Sequence, residues 1–170
     1  MSMWNASVPQ MAKMLRNLDG FLEKAVQYAA ERGFDPDNFV GLRLAPDMFP
    51  LSGQIQAACD TAKFLAARLA GVDAPHDADD EATMEALRAR IRSTLGYLEG
   101  FSEAQFEGSA TKPVTLRFLL GRISRGADYM NEFALPNFYF HVTTAYAILR
   151  SSGVALGKRS FIGEMKLEEA

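Results

Sequence analysis

Three long stretches of the chain carry apolar residues at three- and four-residue intervals, and the first two stop at a glycine, which constrains the fold more than any other feature. The first runs from Val8 to Arg32 through Val8, Met11, Leu15, Leu18, Leu22, Ala25, Val26 and Ala29. Ser7 is its expected N-cap, Pro9 suits a first turn where no N–H is needed, and Gly33 offers a left-handed stop. The second opens after Pro50, turns Ile55, Ala58, Ala62, Leu65 and Leu69 to one side, and ends at Gly71. Its alanines at 57, 58, 62, 66 and 67 permit close approach of another helix. The third, from Glu81 to Leu98, presents Met84, Leu87, Ile91, Leu95 and Leu98, with Asp79 or Asp80 as the expected cap.

A last segment lies between Pro136 and Gly153. Phe138, Tyr139, Phe140, Val142, Thr143 and Thr144 are good strand residues, so periodicity alone does not assign it. Its length, with a proline at the first helical position and a glycine at the end, predicts a buried helix. Between the first two helices, FDPDNFVGLRLAPDMFP holds three prolines and reads as an ordered crossover against the core. From 101 to 135 the signal is mixed, broken by Gly108, Gly121 and Gly126, and VTLRFLL reads as a short strand or an irregular extended piece. The tail is expected to be ordered at Phe161 and loose after Gly163. These readings predict an all-α fold in one domain spanning 1–170.

A chain of 170 residues buries about 70% of its unfolded surface and folds without staples. Cys59 is its one cysteine and forms no internal bridge, which with the absence of a basic and apolar leader predicts a cytoplasmic protein. No run of about 18 apolar residues occurs, so no membrane span is expected. The net charge is -3 and the basic residues are scattered among acidic ones, so nucleic acid is not an expected partner.

Two blocks, LRLAPDMFPLSGQIQAACDTAKFLAARLAG from Leu42 to Gly71 and LPNFYFHVTTAYAILRSSGVALGKRSFIG from Leu135 to Gly163, resemble a family catalogued as a domain of unknown function. That family is placed in the DinB-like and YfiT-like superfamily of helical proteins, which includes divalent-metal proteins and thiol-dependent transferases. The resemblance implies an up-down-down-up four-helix bundle with a crossover loop and an irregular segment before the last helix, often as a homodimer. In the superfamily pattern three histidines hold the metal, one on the second helix and two spaced H-x-x-x-H on the last. His141 matches the last of these, Asn137 falls where the first of the pair belongs, and Ala58 falls near the second-helix histidine. A catalytic metal site uses three protein ligands and an open position, so two of three are missing.

Asn137, His141, Thr144 and Ile148 share one helix face by spacing. The expected site is a polar pocket around His141 and Asn137, with Gln54, Asp47 or Asp60 behind the imidazole and Tyr146 as a wall. The competing reading makes His141 a core histidine that fixes helix register, and Tyr146 a core aromatic. No cofactor is expected. The alternative is a metal- or thiol-dependent transferase or hydrolase in which His141 and substitutes hold Zn or Ni. Cys59 reads as an inert thiol, and the acidic run His76 to Glu81 as a solvated helix cap. Arg88, Arg90 and Arg92 read as a solvated face, and Arg43 with Asp47 as a buried pair that ties down the crossover. A small-molecule-binding or structural module is the expected function.

Overall fold

The computed structural model of the protein describes residues 2–116 and 120–168. Helix α1 spans Val8–Arg32, α2 Leu51–Ala70 and α3 Met84–Glu99. A hairpin follows, with β1 Pro113–Leu116 antiparallel to β2 Arg122–Arg125 and Val114 opposite Ser124. The chain then continues without a break through α4 Gly126–Asp128, a π-helical turn Tyr129–Ala134, and α5 Leu135–Ser151. The short helix α6, Lys158–Ile162, closes the described fold. Of the VTLRFLL segment, the first three residues are strand, and 117–119 lie outside the described residues.

The protein is mostly helical. Helix α1 lies against α3 and α5, and α2 lies against the same two. The shared core takes Met11, Leu15, Leu18 and Leu22 from α1, Ile55, Ala58, Ala62, Leu65 and Leu69 from α2, Leu87 and Ile91 from α3, and Phe138, Val142, Ala145 and Leu149 from α5. These are the periodic positions of the sequence. Burying each large aliphatic side chain contributes about 1.5–3 kcal/mol.

Gly33 (φ 73°) and Gly71 (φ 77°) end α1 and α2 in the left-handed region, as the sequence predicts. Other boundaries differ. Ser7 precedes α1 but its hydroxyl donates to the Met3 carbonyl at 2.6 Å, because a turn at residues 3–7 already runs into the helix. Helix α3 starts at Met84, capped by Thr83, whose hydroxyl accepts from the Ala86 N–H at 3.1 Å. Asp79 and Asp80 are not its cap. Pro136 stands in the first turn of α5, as expected, but the helical backbone does not start there: the π turn precedes it, and its wider path accommodates a residue with no N–H to offer the preceding turn.

The crossover is tied to α2 through backbone. Leu51 N–H donates to the Leu42 carbonyl at 2.8 Å and Ser52 N–H to the Val40 carbonyl at 3.2 Å, which satisfies two otherwise orphaned groups at the start of α2. Arg43 and Asp47 are both exposed, so they are not the expected buried pair. The tail meets the core at Phe161, whose ring stacks on Phe21 at 6.3 Å. Among the described residues no helix is long and apolar enough to cross a membrane.

Candidate functional site

Helices α2 and α5 are joined by two polar contacts. Asn137 Nδ2 donates to Thr61 Oγ1 at 2.8 Å, and Thr61 Oγ1 donates to the Ala57 carbonyl at 2.6 Å. One turn further along α5, His141 Nδ1 lies 2.8 Å from Gln54 Oε1. The earlier residue of α2 meets the later residue of α5, so the two helices run antiparallel. Hydrogen-bond bookkeeping fixes the imidazole tautomer. Gln54 Nε2 donates to the Phe49 carbonyl at 3.0 Å, so its Oε1 faces His141 and accepts. Nδ1 therefore carries the proton and Nε2 carries the lone pair. Burial lowers the His141 pKa and holds the ring neutral. The rings of Phe49 and Phe140 flank it, at 6.5 and 5.3 Å between centroids.

The superfamily resemblance implies a metal at this place. Asn137 has committed its amide nitrogen to Thr61 and His141 its Nδ1 to Gln54, and Ala58 has no donor atom. One imidazole nitrogen and one amide oxygen remain, which is not the three-donor set such a centre uses. Among the described residues no group of three or more His, Cys, Asp or Glu is placed to hold a metal ion. Cys59 is buried, and desolvation raises its pKa to about 12, which makes its thiol a poor nucleophile.

Two cavities open along α2 beside these contacts. One, of about 270 Å³, is lined by Ala57, Asp60, Thr61, Phe64, Arg68, Tyr129, Phe133 and Asn137. The other, of about 420 Å³, is lined by Phe49, Pro50, Ser52, Gly53, Gln56, Ala57, Asp60 and Asp79. Ala57 and Asp60 are walls of both. The structure thus brings Asn137 and Asp60 to one groove, with the Gln54–His141 contact beside it. It does not bring Asp47, which is exposed in the crossover, or Tyr146, whose ring meets Phe21 at 5.7 Å and Phe161 at 5.8 Å.

Asp60 also anchors a charge cluster that sequence reading placed in solvent. Its Oδ1 accepts from Lys63 Nζ at 2.9 Å and from Arg90 Nη2 at 2.8 Å. Arg90 is 5% exposed and Lys63 2%. Asp77 pairs with both, Asp79 reaches Arg90 at 3.1 Å, and Glu81 binds Arg90 Nη1 at 2.8 Å. The acidic run is therefore a strap over two buried cations and not a helix cap. Burial opposes ionisation of Asp77, but the Lys63 hydrogen bond and the Arg90 charge outweigh it and hold the carboxyl below its ordinary range. Nor are the three arginines of α3 one solvated face. Arg88 pairs bidentately with Asp19 of α1 at 2.8 and 3.1 Å, and only Arg92, paired with Glu85, is exposed.

Sequence reasoning missed Thr61, Phe64, Arg68 and Tyr129. Thr61 and Gln54 are seven residues apart on α2, two turns, and that was the one available signal for a second polar contact facing α5.

The helical fold is that of a DinB-like protein. A crystal structure of a DinB family member protein from Shewanella denitrificans superposes with a TM-score of 0.95 at 44% identity, covering 99% of this chain and 96% of that one. The family model of a domain of unknown function, DUF1993, matches residues 3–162, and the chain belongs to that family. No protein of curated function matches it.

Proposed function

We propose that the protein is a binding module for a small organic molecule, working without a metal, with its polar site at Asn137 beside the His141–Gln54 contact. The observation that carries this reading is the 270 Å³ cavity between α2 and the 126–151 helical run. Its lining mixes aromatic faces with a few polar groups, the composition of a ligand site rather than of a core void. Asn137 Oδ1 faces no donor among the described residues, and neither does Asp60 Oδ2. His141 is not in the cavity wall; with Nδ1 committed to Gln54 and its ring flanked by aromatics, it locks α5 against α2 one turn from Asn137.

The same reading takes the chain as one domain, a cytoplasmic up-down-down-up four-helix bundle, with α1 diagonal to α2. It pairs two copies through the exposed apolar side chains of Leu44, Phe49 and Phe140, which are 46%, 60% and 55% exposed. Light scattering at micromolar concentration checks the pairing, and a monomeric mass overturns it.

A fragment library screened by melting temperature tests the binding reading. Ligands of the site raise the melting temperature of the wild type, because they bind only the native state. They fail to do so in Ala57→Leu, whose larger side chain occupies the groove. Fragments that act equally on both proteins, or none that act, overturn it. Metal analysis of untagged protein purified without chelator tests the other half. Equimolar metal with a thermal shift lost in His141→Ala would restore the metal-dependent enzyme.

A further inference from the structure

The smaller cavity has two unlike ends. At one, the Arg68 guanidinium lies 5.1 Å from the centre of the Phe64 ring and 5.4 Å from that of Tyr129, and its Nη1 donates to the Tyr129 hydroxyl at 2.8 Å. Aromatic faces and one hydrogen bond hold it in place. Arg88 and Arg90 each have carboxylates, whereas Arg68 has none within ion-pair distance among the described residues. Its Nε and Nη2 donors remain open, a planar fork suited to an oxyanion. The Tyr129 oxygen accepts from Arg68 and donates to no other described group, so it too has a proton to offer. Burial raises its pKa and keeps that proton in place.

At the other end, Asp60 Oδ2 and Asn137 Oδ1 offer acceptors. Seven residues of α2 separate Thr61 from Arg68, a rise of about 10 Å. Between the ends stand Phe64 on α2 and Phe133 on the π turn, both in the cavity wall.

We propose that this cavity binds a small organic carboxylate lengthwise. The anion sits on Arg68 and Tyr129, the apolar body lies against Phe64 and Phe133, and a hydrogen-bond donor at the far end faces Asn137 and Asp60. A monoanion fits better than a phosphate, because Asp60 shares the cavity and a second negative charge would meet it at low dielectric. The inference rests on the binding reading above and adds the class of ligand to it.

The test is a protein-observed NMR titration with hexanoate, 6-aminohexanoate, hexanamide, hexylamine and hexyl phosphate. Hexanoate binds, 6-aminohexanoate binds more tightly, and the amide and amine bind at least about tenfold more weakly, a difference of about 1.4 kcal/mol. Arg68→Gln abolishes the preference for the carboxylates. Tyr129→Phe keeps the ring that flanks Arg68, removes one proton, and weakens hexanoate while leaving hexylamine unchanged. Equal binding of hexanoate and hexanamide, tighter binding of hexyl phosphate, or carboxylate binding untouched by both variants overturns the proposal. Any of these results, with fragments still displaced by Ala57→Leu, leaves the binding module standing without its carboxylate. A groove that takes no probe and no fragment removes both.

Discussion

Gln54 Oε1 and His141 Nδ1 meet at 2.8 Å between α2 and α5, in a contact where each residue is nearly inaccessible to water. Because Gln54 is itself oriented by the Phe49 carbonyl, removing either partner strands a buried polar group. Gln54→Ala and His141→Ala are each expected to destabilise the protein by about 1–3 kcal/mol. The double variant should cost less than their sum, since nothing is then left unpaired. Urea denaturation of the four proteins measures this, and strict additivity would show that the contact carries no coupling.

The neutral imidazole gives stability a pH dependence. The folded pKa of His141 lies below its ordinary 6.5, so the unfolded chain takes up the proton first. Stability is therefore complete above about pH 6.5 and declines as pH falls from there to the folded pKa. Asp77 and Glu81 are also lowered: for each, burial raises the pKa but hydrogen bonds and nearby cations more than reverse it. Their contribution is present above ordinary carboxylate values and is lost further into acid. Denaturant midpoints between pH 8 and pH 3 should fall in two stages, and His141→Asn should remove only the first. A single stage, unchanged in the variant, would sink this assignment.

Arg90 is the hub of the strap at residues 77–81. Arg90→Met keeps most of the side-chain volume but leaves Asp79 and Glu81 without their cation and Asp60 with Lys63 alone, a loss of about 3–5 kcal/mol. Hydrogen exchange should rise across residues 72–83 before it rises in α2. A variant within 1 kcal/mol of wild type, an amount ordinary for a surface pair, would mean that the strap is held by something else.

Gly126 joins β2 to α4 where the backbone leaves no room. A Cβ there would stand 2.0 Å from the Ser109 carbonyl oxygen and 3.0 Å from a Leu69 methyl. Gly126→Ala should cost about 1–3 kcal/mol or more through forced backbone movement. Gly96→Ala meets nothing within 4 Å in the last turn of α3 and should be neutral or stabilising. Thermal melts of the two variants make the comparison, and a reversed order would refute it.

The helices were legible because their signals are local. Gly33 and Gly71 stop α1 and α2 where left-handed backbone is required, and the apolar series pick out the buried faces. The site was legible only where the partner lay on the same helix. Asn137 and His141 share a face by spacing, but nothing within α5 names Thr61 or Gln54 as the groups opposite. The strap failed for the same reason. Asp77 and Glu81 look like a solvated run beside α3 until Lys63, from the helix before, and Arg90, from the helix after, are brought beneath them. Arg68 and Tyr129 are 61 residues apart in sequence, and neither belongs to a recognisable motif.

The π turn at Tyr129–Ala134 sets the angular phase of everything after it. Each residue of a helix advances its face by about 100°, so the turn acts as a phase offset between Tyr129 and the Asn137–His141 pair. A one-residue deletion there would shorten the rod only slightly. By restoring an α turn it would keep Asn137 and His141 nearly in phase with α2. One residue removed between Ala134 and Asn137, where the backbone is already α-helical, would instead swing them by about 100° and uncouple the two ends of the groove without touching a residue of either.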